Sequence, residues 1–424
     1  MAQITDDCFA FAGPLLPIAE MERLIADRIT PVSEIEAIHL RDALGRVVAS
    51  DVFAPIDLPP FDNSAVDGFA VSHADLANDR DSELVIVDRV TAGRPSSKPL
   101  STGQAIRIFT GAPMPIGADT VFMQEDCRVS GNKVVVPPGL KLGANRRLAG
   151  EDVRKGAVVL VAGRRLLAQD LALAAALGLT QISVRRRLRV AVFSTGDEIV
   201  EPGAPRAAPA IFDANRFLLI GLLERLGSEV TDLGILADDP TTLAAAFAQA
   251  AQTHDLVLTS GGVSTGEADH VRAAVERMGR LVFWRVAIKP GRPVAMGVVM
   301  GSNRKTFADF VGLPGNPAAV FVTFVRVVRP LLLQLAGALP QPLTPLPVRA
   351  AFSYRKRRGR REYVRVALRT SADGLVEAVK HRQEGAGVIT SLTETDGLVE
   401  LSEDTVAIEP GSMVGFLPYA ALVS

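Results

Sequence analysis

Apolar residues recur at helical spacing near the start of the chain, between Leu16 and Ile29. A second helix is predicted within residues 164–179, an Ala/Leu-rich segment with a glycine near its end. We expect this second helix to fold back on the first. Residues 15–55 and 157–187 would then form one discontinuous domain of helical and mixed structure.

The pattern changes between residues 56 and 156. Short runs rich in β-branched residues, such as ELVIVDRV, QAIRIFTG and NKVVVP, are separated by Gly, Pro, Asn and Asp. Such runs are typical of short strands joined by turns. The segment is therefore predicted to be a small β domain, either a barrel or a sandwich.

From Leu188 to about residue 337, strand, loop and helix patterns alternate. LRVAVFST is a largely apolar run, suited to a strand buried on both faces, whereas Leu219, Leu222 and Leu223 share one helical stripe. The strand patterns VTDLGIL, DLVLTSGG and LVFWRVAI follow, separated by helical ones. This alternation predicts a doubly wound, mostly parallel α/β domain, whose ligands should gather at the carboxyl ends of the strands.

A Pro-rich linker follows residue 337, and residues 338–424 again show strand patterns. Val364 and Val366 alternate with Arg365, at the period of two that a half-buried strand requires. The fold class predicted for the whole chain is multi-domain α/β and β, with one central α/β domain and two smaller β domains.

Composition narrows the functional classes. The net charge of the 424 residues is -1, so no global field favours nucleic acid or an anionic membrane. Only two cysteines occur, which fits a reducing compartment. The N-terminus lacks the pattern of a signal peptide. The apolar stretch 318–335 contains Arg326, Arg329 and Pro330, which predicts a buried helix rather than a membrane span. We expect a soluble cytoplasmic protein with neither nucleic acid nor membrane partners.

Three Gly-rich turns fall at the ends of the predicted strands: STGDE at 194–198, SGGVSTGEAD at 260–269 and GLPGNPAA at 312–319. Glycine allows the backbone to approach a phosphate closely, and a helix that starts just after the turn offers N–H groups to the anion. Any one of these turns alone is equally well explained as a tight connection. Their joint occurrence favours a nucleotide crevice, with Ser260, Gly261, Gly262 and Ser264 as substrate-binding residues.

Acidic residues accompany these turns. Glu198, Asp238 and Asp269 are the predicted metal ligands, because Mg²⁺ prefers one or two carboxylates together with substrate phosphate oxygens. Asp239 stands directly before Pro240, where capping of the next helix is the better explanation.

Motifs of other enzyme classes are absent from the sequence. There is no HExxH, Cys-x-x-Cys, GxxxxGK[ST] or GxSxG, so zinc hydrolysis, P-loop phosphoryl transfer and α/β-hydrolase chemistry lack their signatures. The basic run RKRRGRR at 355–361 is interpreted as an exposed strand edge, with binding of a pterin phosphate as the alternative.

Several longer strings resemble one family. LPPFDNSAVDGFAV at 58–71, TGAPMPIGADTVFMQED at 110–126, NRRLAGEDVRKG at 145–156 and AIKPGRP at 287–293, together with the three Gly-rich turns, are similar to the motifs of the molybdopterin molybdenumtransferases, the MoeA family. By composition alone DNSAVDG would be an ordinary surface turn. The resemblance covers nearly the whole chain.

The resemblance implies an elongated four-domain subunit. Domain I comprises residues 15–55 and 157–187, domain II 56–156, domain III 188–337 and the β-barrel-like domain IV 338–424. It also implies a homodimer in which domain III of one subunit faces domain II of the other across the active site. The implied reaction inserts molybdate into adenylylated molybdopterin and releases AMP with the help of Mg²⁺. Transient contacts with molybdopterin adenylyltransferase and with molybdoenzyme maturation factors follow from that role.

The resemblance also assigns roles to single residues. The predicted catalytic residues are Asp67, Thr110, Asp152, Glu198, Asp238 and Asp269, and the further substrate-binding residues are Arg285, Lys289, Pro314, Pro317 and Arg365. Two positions depart from the family pattern. Arg285 stands where lysine is frequent and keeps the positive charge. Ala386 stands where serine is frequent and offers no hydroxyl to an oxyanion.

Two other functions remain open from the sequence. Molybdopterin adenylyltransferases resemble the third domain alone, and the four-domain layout argues against that activity. A non-catalytic dimeric scaffold of the same architecture is the second alternative, against which the retained acidic positions speak.

Overall fold

The structure is a computed structural model that describes residues 15–261 and 270–422. Its helices, in chain order, are α1 (Ile18–Arg28), α2 (Ala168–Ala176), α3 (Asn215–Arg225), α4 (Pro240–Ala250), α5 (His270–Met278), α6 (Pro317–Thr323), α7 (Arg329–Leu335), α8 (Thr390–Thr393) and α9 (Tyr419–Leu422).

The strands fall into three stretches of the chain. The first stretch contains β1 (Ile35–His39), β2 (Val52–Phe53), β3 (Asn63–Ser64), β4 (Gly68–Val71), β5 (Ser82–Val90), β6 (Gln104–Ile108), β7 (Thr120–Met123), β8 (Arg128–Ser130), β9 (Lys133–Val136), β10 (Arg146–Arg147), β11 (Val158–Leu160) and β12 (Gln181–Arg185). The second contains β13 (Arg189–Thr195), β14 (Ile199–Val200), β15 (Ile211–Phe212), β16 (Glu229–Leu236), β17 (Leu256–Ser260), β18 (Gly279–Arg285), β19 (Ile288–Lys289), β20 (Pro293–Met300) and β21 (Phe307–Leu313). The third contains β22 (Leu346–Ala350), β23 (Tyr354–Arg355), β24 (Arg361–Thr370), β25 (Val376–Lys380), β26 (Gly397–Leu401), β27 (Ala407–Ile408) and β28 (Met413–Pro418).

Two segments that are distant in the sequence share one core. β1 pairs antiparallel with β12, and β2 pairs antiparallel with β11. Leu40 and Val48 from the first segment pack with Leu166, Ala174 and Val184 from the second. The chain therefore leaves this core after β2 and returns to it at β11.

Helix α1 does not pack as expected from the sequence. Its apolar face, which includes Ile18, Met21 and Leu24, is buried in one cluster with Leu331 and Leu335 of α7, whereas α2 contributes to the core of β1 and β12. The expectation that α2 folds back on α1 is wrong. An amphipathic face specifies that a helix is covered but carries no information about which apolar surface covers it.

Strands β4 to β9 form one six-stranded sheet, in the order β7-β4-β6-β5-β9-β8. Phe69 and Val71 of β4 belong to an apolar core on one face of this sheet, and Ala70 between them belongs to a core on the other face. The predicted β content is confirmed. The strands form one sheet rather than the barrel or sandwich expected from the sequence.

Gly68, the first residue of β4, tests how tightly this sheet is built. A Cβ atom at Gly68 would lie 1.7 Å from the carbonyl oxygen of Phe122 in the neighbouring strand β7. We expect Gly68→Ala to destabilise the protein by about 3 kcal/mol or more, because overpacking costs about 1–3 kcal/mol where neighbours can yield and a paired strand backbone cannot. The temperature of thermal unfolding, followed by circular dichroism, measures the loss.

A matched control comes from Gly221 in α3, where an added Cβ would meet nothing within 4 Å. Gly221→Ala should stabilise the protein by about 0.5–1 kcal/mol, since alanine loses less backbone entropy than glycine in a helix. If Gly68→Ala unfolded at the temperature of the parent protein, the close approach of β4 and β7 would be contradicted.

The central sheet has the order β16-β13-β17-β21-β20-β18. Its first four strands are mutually parallel, and β20 and β18 run antiparallel to their neighbours. The prediction of an α/β domain with a mostly parallel sheet is confirmed. LVFWRVAI, predicted as a further strand of the strand–helix series, forms most of the edge strand β18. β18 runs in the same direction as the first four strands, because β18 and β21 are both antiparallel to β20, which lies between them. The connection from β18 to β20 is too short for the crossover that a parallel arrangement requires.

The stretch predicted to be a buried helix is continuous from Pro317 to Leu335, with a π-helical segment at Phe324–Val328 between α6 and α7. It is long and apolar enough to cross a membrane by length and composition alone, yet 89% of its most apolar window is buried inside the protein. The prediction of a core helix is confirmed.

The C-terminal strands close on themselves. β24 pairs with β25, β25 with β22, β22 with β28, β28 with β26, and β26 again with β24. The short strand β19, which belongs in sequence to the α/β region, adds to this barrel by pairing in parallel with β24. The α/β region and the barrel are therefore joined by main-chain hydrogen bonds.

Candidate functional site

The carboxyl ends of four parallel strands meet at one edge of the central sheet. Ser194 of β13 pairs with Ser260 of β17, Ser260 pairs with Leu313 of β21, and Thr195 pairs with Leu236 of β16. This register brings the turns STGDE and GLPGNPAA, and the start of SGGVSTGEAD, next to one another. Their predicted convergence is thus present in the described part of the chain.

Asn215, at the first turn of α3, ties two of these turns together. Its Nδ2 donates to Ser260 Oγ at 2.8 Å and to the carbonyl oxygen of Gly315 at 2.7 Å. Gly261 has φ +90°, and a Cβ there would lie 3.3 Å from the carbonyl oxygen of Thr195. Only glycine suits this position, because both the backbone conformation and the space exclude a side chain.

Buried polar atoms line the same strand ends. Among the described residues, Ser194 Oγ, Thr259 Oγ1 and Asn215 Oδ1 are buried and have no hydrogen-bond partner within the protein. Buried polar atoms without a partner are rare and costly. Their concentration at one edge of the sheet indicates a site that accommodates a polar ligand or bound water.

Two of the predicted metal ligands lie on this edge. Asp238 follows β16, and its Oδ1 accepts a hydrogen bond of 3.3 Å from Thr195 Oγ1. Glu198 follows β13 with an exposed side chain. Its carboxylate lies over Gly196, where an added Cβ would be 2.7 Å from Glu198 Oε2. Both carboxylates therefore border the turn at the end of β13.

Asp239 has the capping role that its position before Pro240 suggests. Its Oδ1 accepts hydrogen bonds of 3.0 Å from the backbone N–H groups of Thr241 and Thr242 at the start of α4. The hydrogen bond from the Thr242 side chain, followed by that from the Thr242 backbone, lowers the pKa of Asp239. The carboxylate of Asp239 therefore caps α4, whereas that of Asp238 does not.

Gly262, Ser264 and Asp269 lie outside the described residues. Within residues 15–261 and 270–422, no three His, Cys, Asp or Glu side chains converge as a metal site would require. Because Asp269 falls outside those ranges, the three-carboxylate metal site stays a prediction.

Asp67 and Thr110 form a second polar site, on the β4–β9 sheet. Asp67 Oδ1 accepts hydrogen bonds of 2.8 Å from both the backbone N–H and the hydroxyl of Thr110. The hydrogen bond from the Thr110 backbone, followed by that from its hydroxyl, lowers the pKa of the Asp67 carboxyl. The side chain of Arg107 lies nearby, over the Phe69 ring, and donates to Gln124. The lowered pKa keeps the Asp67 carboxyl ionised, and the hydrogen bonds from Thr110 hold it in place.

Asp152 lies on an exposed turn, where its backbone N–H donates to the carbonyl oxygen of Leu58 at 3.1 Å. In the part of the chain that the structure describes, no hydrogen bond, ion pair or cavity joins Asp67, Thr110 or Asp152 to Glu198 or Asp238. Among the described catalytic candidates, Asp67 with Thr110 and Glu198 with Asp238 therefore form two groups within one chain.

A cavity of about 300 Å³ lies between the α/β region and the C-terminal barrel. Lysine, arginine and proline side chains dominate its wall, together with aromatic and amide groups. It is lined by Lys289, Pro290, Gly291, Pro293, Pro314, Asn316, Ala319, Tyr354, Tyr363, Val364, Arg365, Lys380, His381, Gln383, Glu384 and Ala386. The predicted substrate-binding residues Lys289, Pro314 and Arg365 thus share one cavity.

Arg365 is only 5% exposed and is held by three acceptors from the barrel: Ser391 Oγ at 3.1 Å and the carbonyl oxygens of Gly385 at 3.1 Å and Gln383 at 3.4 Å. Burial lowers its pKa, yet a guanidinium keeps its charge in proteins. No carboxylate neutralises Arg365 among these partners, so its charge is available to a bound anion.

Of the remaining predicted residues, Pro314 lines the cavity and Pro317 and Arg285 do not. Pro317 is the first residue of α6, and the next N–H, that of Ala318, donates to the carbonyl oxygen of Ala386 at 2.9 Å. Arg285 ends β18, where its carbonyl oxygen accepts from the N–H of Leu16 at 2.9 Å. Pro314 lines the cavity, and its carbonyl oxygen accepts from Ser260 Oγ at 3.4 Å. Pro314 therefore connects the cavity to the strand-end crevice.

Two cavity residues, Tyr354 and Lys380, and the buried Glu362 behind the cavity wall were missed from the sequence. Glu362 Oε2 accepts from Tyr354 Oη at 2.8 Å and from Lys289 Nζ at 3.2 Å. Lys380 Nζ lies 5.6 Å from the centre of the Tyr354 ring. For Glu362 the sequence offered only its place directly after a dense basic run.

Three residues of the basic run 355–361, namely Lys356, Arg360 and Arg361, make hydrogen bonds or ion pairs within the barrel. Lys356 Nζ donates to the carbonyl oxygens of Ser402 at 2.7 Å and Thr405 at 2.9 Å. Arg360 pairs with Glu362 at 2.7 Å, and Arg361 pairs with Glu403 at 3.0 Å. Arg355 lies in the two-stranded pair β23–β27. The predicted exposure of the run is confirmed for Arg355, Arg357 and Arg358, whereas Lys356, Arg360 and Arg361 are bonded within the barrel.

Comparison with known proteins covers nearly the whole chain. Residues 16–178 match the MoeA N-terminal region (domains I and II), residues 191–334 match a probable molybdopterin binding domain, and residues 347–419 match the MoeA C-terminal region (domain IV). The molybdopterin molybdenumtransferase of Haemophilus influenzae is 36% identical over 96% of this chain and 100% of its own length. That of a Nostoc species is 35% identical over 92% of this chain and 90% of its own length.

A solved structure agrees with these matches. The crystal structure of the molybdopterin biosynthesis MoeA protein from Pyrococcus horikoshii superimposes with a TM-score of 0.80 at 30% identity, and the match covers 96% of this chain and 100% of that one. Three consecutive family regions, full-length relatives and a full-length structural match place the same motifs in the same order. The chain belongs to the MoeA family of molybdopterin molybdenumtransferases.

Proposed function

We propose that this chain transfers molybdate into adenylylated molybdopterin and releases AMP. One observation carries the proposal. The crevice at the strand ends, bordered by carboxylates, and the cavity lined by cations are connected through Pro314 in a single chain. A nucleotide-linked pterin and an oxyanion require two such neighbouring sites of different charge. The relatives named above carry the corresponding activity in their names.

The crevice would hold the nucleotide part of the substrate. Ser260 and Asn215 supply polar side chains, and Gly261 lets the substrate approach the backbone closely. The buried oxygen atoms of Ser194 and Thr259, which have no protein partner, would gain hydrogen bonds from the ligand or its water. We expect their hydrogen-bonding capacity to be satisfied when substrate binds.

Glu198 and Asp238 would hold a Mg²⁺ ion together with Asp269. Two carboxylates that border one turn fit this cation, because Mg²⁺ takes one or two protein carboxylates and completes its shell with water and phosphate oxygens. When bound, Mg²⁺ would supply electrostatic stabilisation for cleavage of the phosphoanhydride. The two acids fix where that stabilisation acts.

The cavity would bind molybdate. Lys289, Lys380 and Arg365 bring three positive charges to the cavity. Lys289 pairs with Glu362 and Lys380 with Glu384, so Arg365 supplies the excess positive charge. Ala386 supplies no hydroxyl, and its carbonyl oxygen is already bonded to Ala318. The oxyanion would therefore be held by cationic donors rather than by a hydroxyl at this position.

The second polar site, Asp67 with Thr110, would complete the active site of another copy of the chain. Within one chain it lies apart from the crevice, and its carboxylate is ionised and exposed for contact. In a two-fold dimer each domain II would face the partner's domain III, which gives two equivalent sites.

The test uses purified full-length protein with adenylylated molybdopterin, Mg²⁺ and molybdate. We expect AMP to be released and metallated cofactor to form, both in proportion to enzyme. Removal of Mg²⁺ by a chelator should abolish both. Chromatography measures AMP, and reconstitution of an apo-molybdoenzyme measures the cofactor. If AMP were not released at saturating molybdate and Mg²⁺, the proposal would fail.

A further inference from the structure

Lys289 and Glu362 are brought together by main-chain pairing. β19 and β24 pair in parallel in the register Ile288 with Arg361 and Lys289 with Glu362. The side chain of Lys289 is 46% exposed towards the cavity, whereas that of Glu362 is 1% exposed. The pair therefore runs from the interior of the barrel to the cavity wall.

The buried carboxylate of Glu362 is fully partnered. Its Oε1 accepts from Arg360 Nε at 2.7 Å, and its Oε2 accepts from Tyr354 Oη at 2.8 Å and from Lys289 Nζ at 3.2 Å. Lys289 Nζ also donates to Tyr354 Oη at 3.3 Å. Tyr354 thus accepts from the ammonium and donates to the carboxylate, so the three side chains form a closed triangle.

A lysine ammonium has three N–H donors on a flexible stem. Glu362 and Tyr354 take two of them, which leaves one N–H for an anion in the cavity. We propose that Glu362 and Tyr354 are positioning residues that hold Lys289 at the cavity wall and thereby set the affinity for the oxyanion. This inference rests on the proposed function, in which the cavity binds molybdate.

A simpler role for Glu362 predicts the opposite effect. If Glu362 were only a negative charge behind the cavity, it would repel a bound oxyanion, and its neutralisation would strengthen binding. If it positions Lys289, its neutralisation weakens binding, although the cavity becomes more positive. The sign of the change in affinity therefore separates the two roles.

The experiment measures the dissociation constant of sodium molybdate by isothermal titration calorimetry with the full-length protein. Glu362→Gln keeps the shape and removes the charge, and we expect it to weaken binding about tenfold, comparable to the loss of one charged hydrogen bond. Tyr354→Phe keeps the ring and the net charge, and we expect a weakening of about threefold to tenfold from the loss of one hydrogen bond. In steady-state assays both changes should raise the KM for molybdate more than they lower kcat.

Glu377→Gln is the matched control. Glu377 is a partly buried carboxylate of the same barrel, paired with Arg349 and Arg369 and absent from the cavity wall. Its neutralisation should leave the affinity for molybdate unchanged. Thermal unfolding is recorded for each variant, and if Glu362→Gln does not fold, Tyr354→Phe decides the question alone.

Unchanged or tighter binding in folded Glu362→Gln, or unchanged binding in Tyr354→Phe, overturns the positioning role. Lys289→Met separates this failure from that of the proposed function. If Lys289→Met binds molybdate as tightly as the parent protein, the cavity is not the oxyanion site. If it binds weakly, the double variant Lys289→Met with Glu362→Gln should lose no further affinity, since the carboxylate then has no lysine to position.

Discussion

Replacing Asp238 with asparagine is expected to lower AMP release about a hundredfold or more while leaving the fold intact. A metal-holding carboxylate and the charge it positions are each worth one to three orders of magnitude in rate. Asparagine has the same shape as aspartate, and its side-chain oxygen can still accept the hydrogen bond from Thr195 Oγ1. The turnover number at saturating Mg²⁺, molybdate and adenylylated molybdopterin measures the effect.

The neighbouring residue supplies the control. Asp239→Asn is the same chemical change one position later, at a side chain that caps α4 through Thr241 and Thr242. Asparagine caps helices as well as aspartate does, so turnover and thermal unfolding should both stay near the parent values. Equal losses in Asp238→Asn and Asp239→Asn would indicate a general effect on this loop and would remove Asp238 from the metal site.

Mixing two inactive variants is expected to restore activity. Asp67→Asn removes the carboxylate bonded to Thr110, and Asp238→Asn removes one from the strand-end crevice. If each active site combines Asp67 of one subunit with Asp238 of the other, a mixed dimer has one site that lacks both carboxylates and one that is intact. An equal mixture after subunit exchange should then reach about one quarter of parent activity, since half of the two-fold dimers are mixed.

The measurement requires each variant alone to show about one per cent of parent turnover or less, consistent with the loss of a charged catalytic group. The two proteins are unfolded and refolded together, or co-expressed with different affinity tags so that mixed dimers can be isolated. A mixture of parent protein with the double variant gives the reference for subunit exchange. If isolated mixed dimers are as inactive as the single variants, both carboxylates act within one chain and the shared site is wrong.

The parallel strands of the central sheet could be predicted, because the apolar pattern of each strand and helix shows which of its faces is buried. The continuous apolar run of β13 and the stripe Leu219, Leu222 and Leu223 of α3 are buried as the patterns indicated. The strand β18 was also predicted correctly. The reversed direction of β20 could not be read from the apolar pattern, because it depends on the short connection from β18 rather than on the composition of the strand. Similarly, the apolar face of α1 predicted a helix correctly and its neighbour incorrectly.

The residues of the candidate site also divide into those that could be predicted from the sequence and those that could not. Ser260, Gly261 and Asp238 could be located from sequence, since parallel strands bring their carboxyl ends to one edge. Tyr354 and Glu362 could not, because they lie more than 60 positions after Lys289 and meet it only in the folded barrel, Glu362 through the pairing of β19 with β24. A contact made by a barrel strand with a short strand from another region leaves no local pattern to read.

The β1–β12 and β2–β11 pairings, which bracket residues 54–157, also determine how the protein responds to proteolytic cleavage. The chain enters this segment from β2 and leaves it into β11, and β2 and β11 are hydrogen-bonded to each other. A single protease nick inside the segment leaves both new ends tethered to the same core, so no fragment is shed. A nick in the Pro-rich linker after residue 337 severs the covalent link to the C-terminal barrel, which then stays attached through non-covalent contacts such as the pairing of β19 with β24 and the hydrogen bond from Ala318 to Ala386.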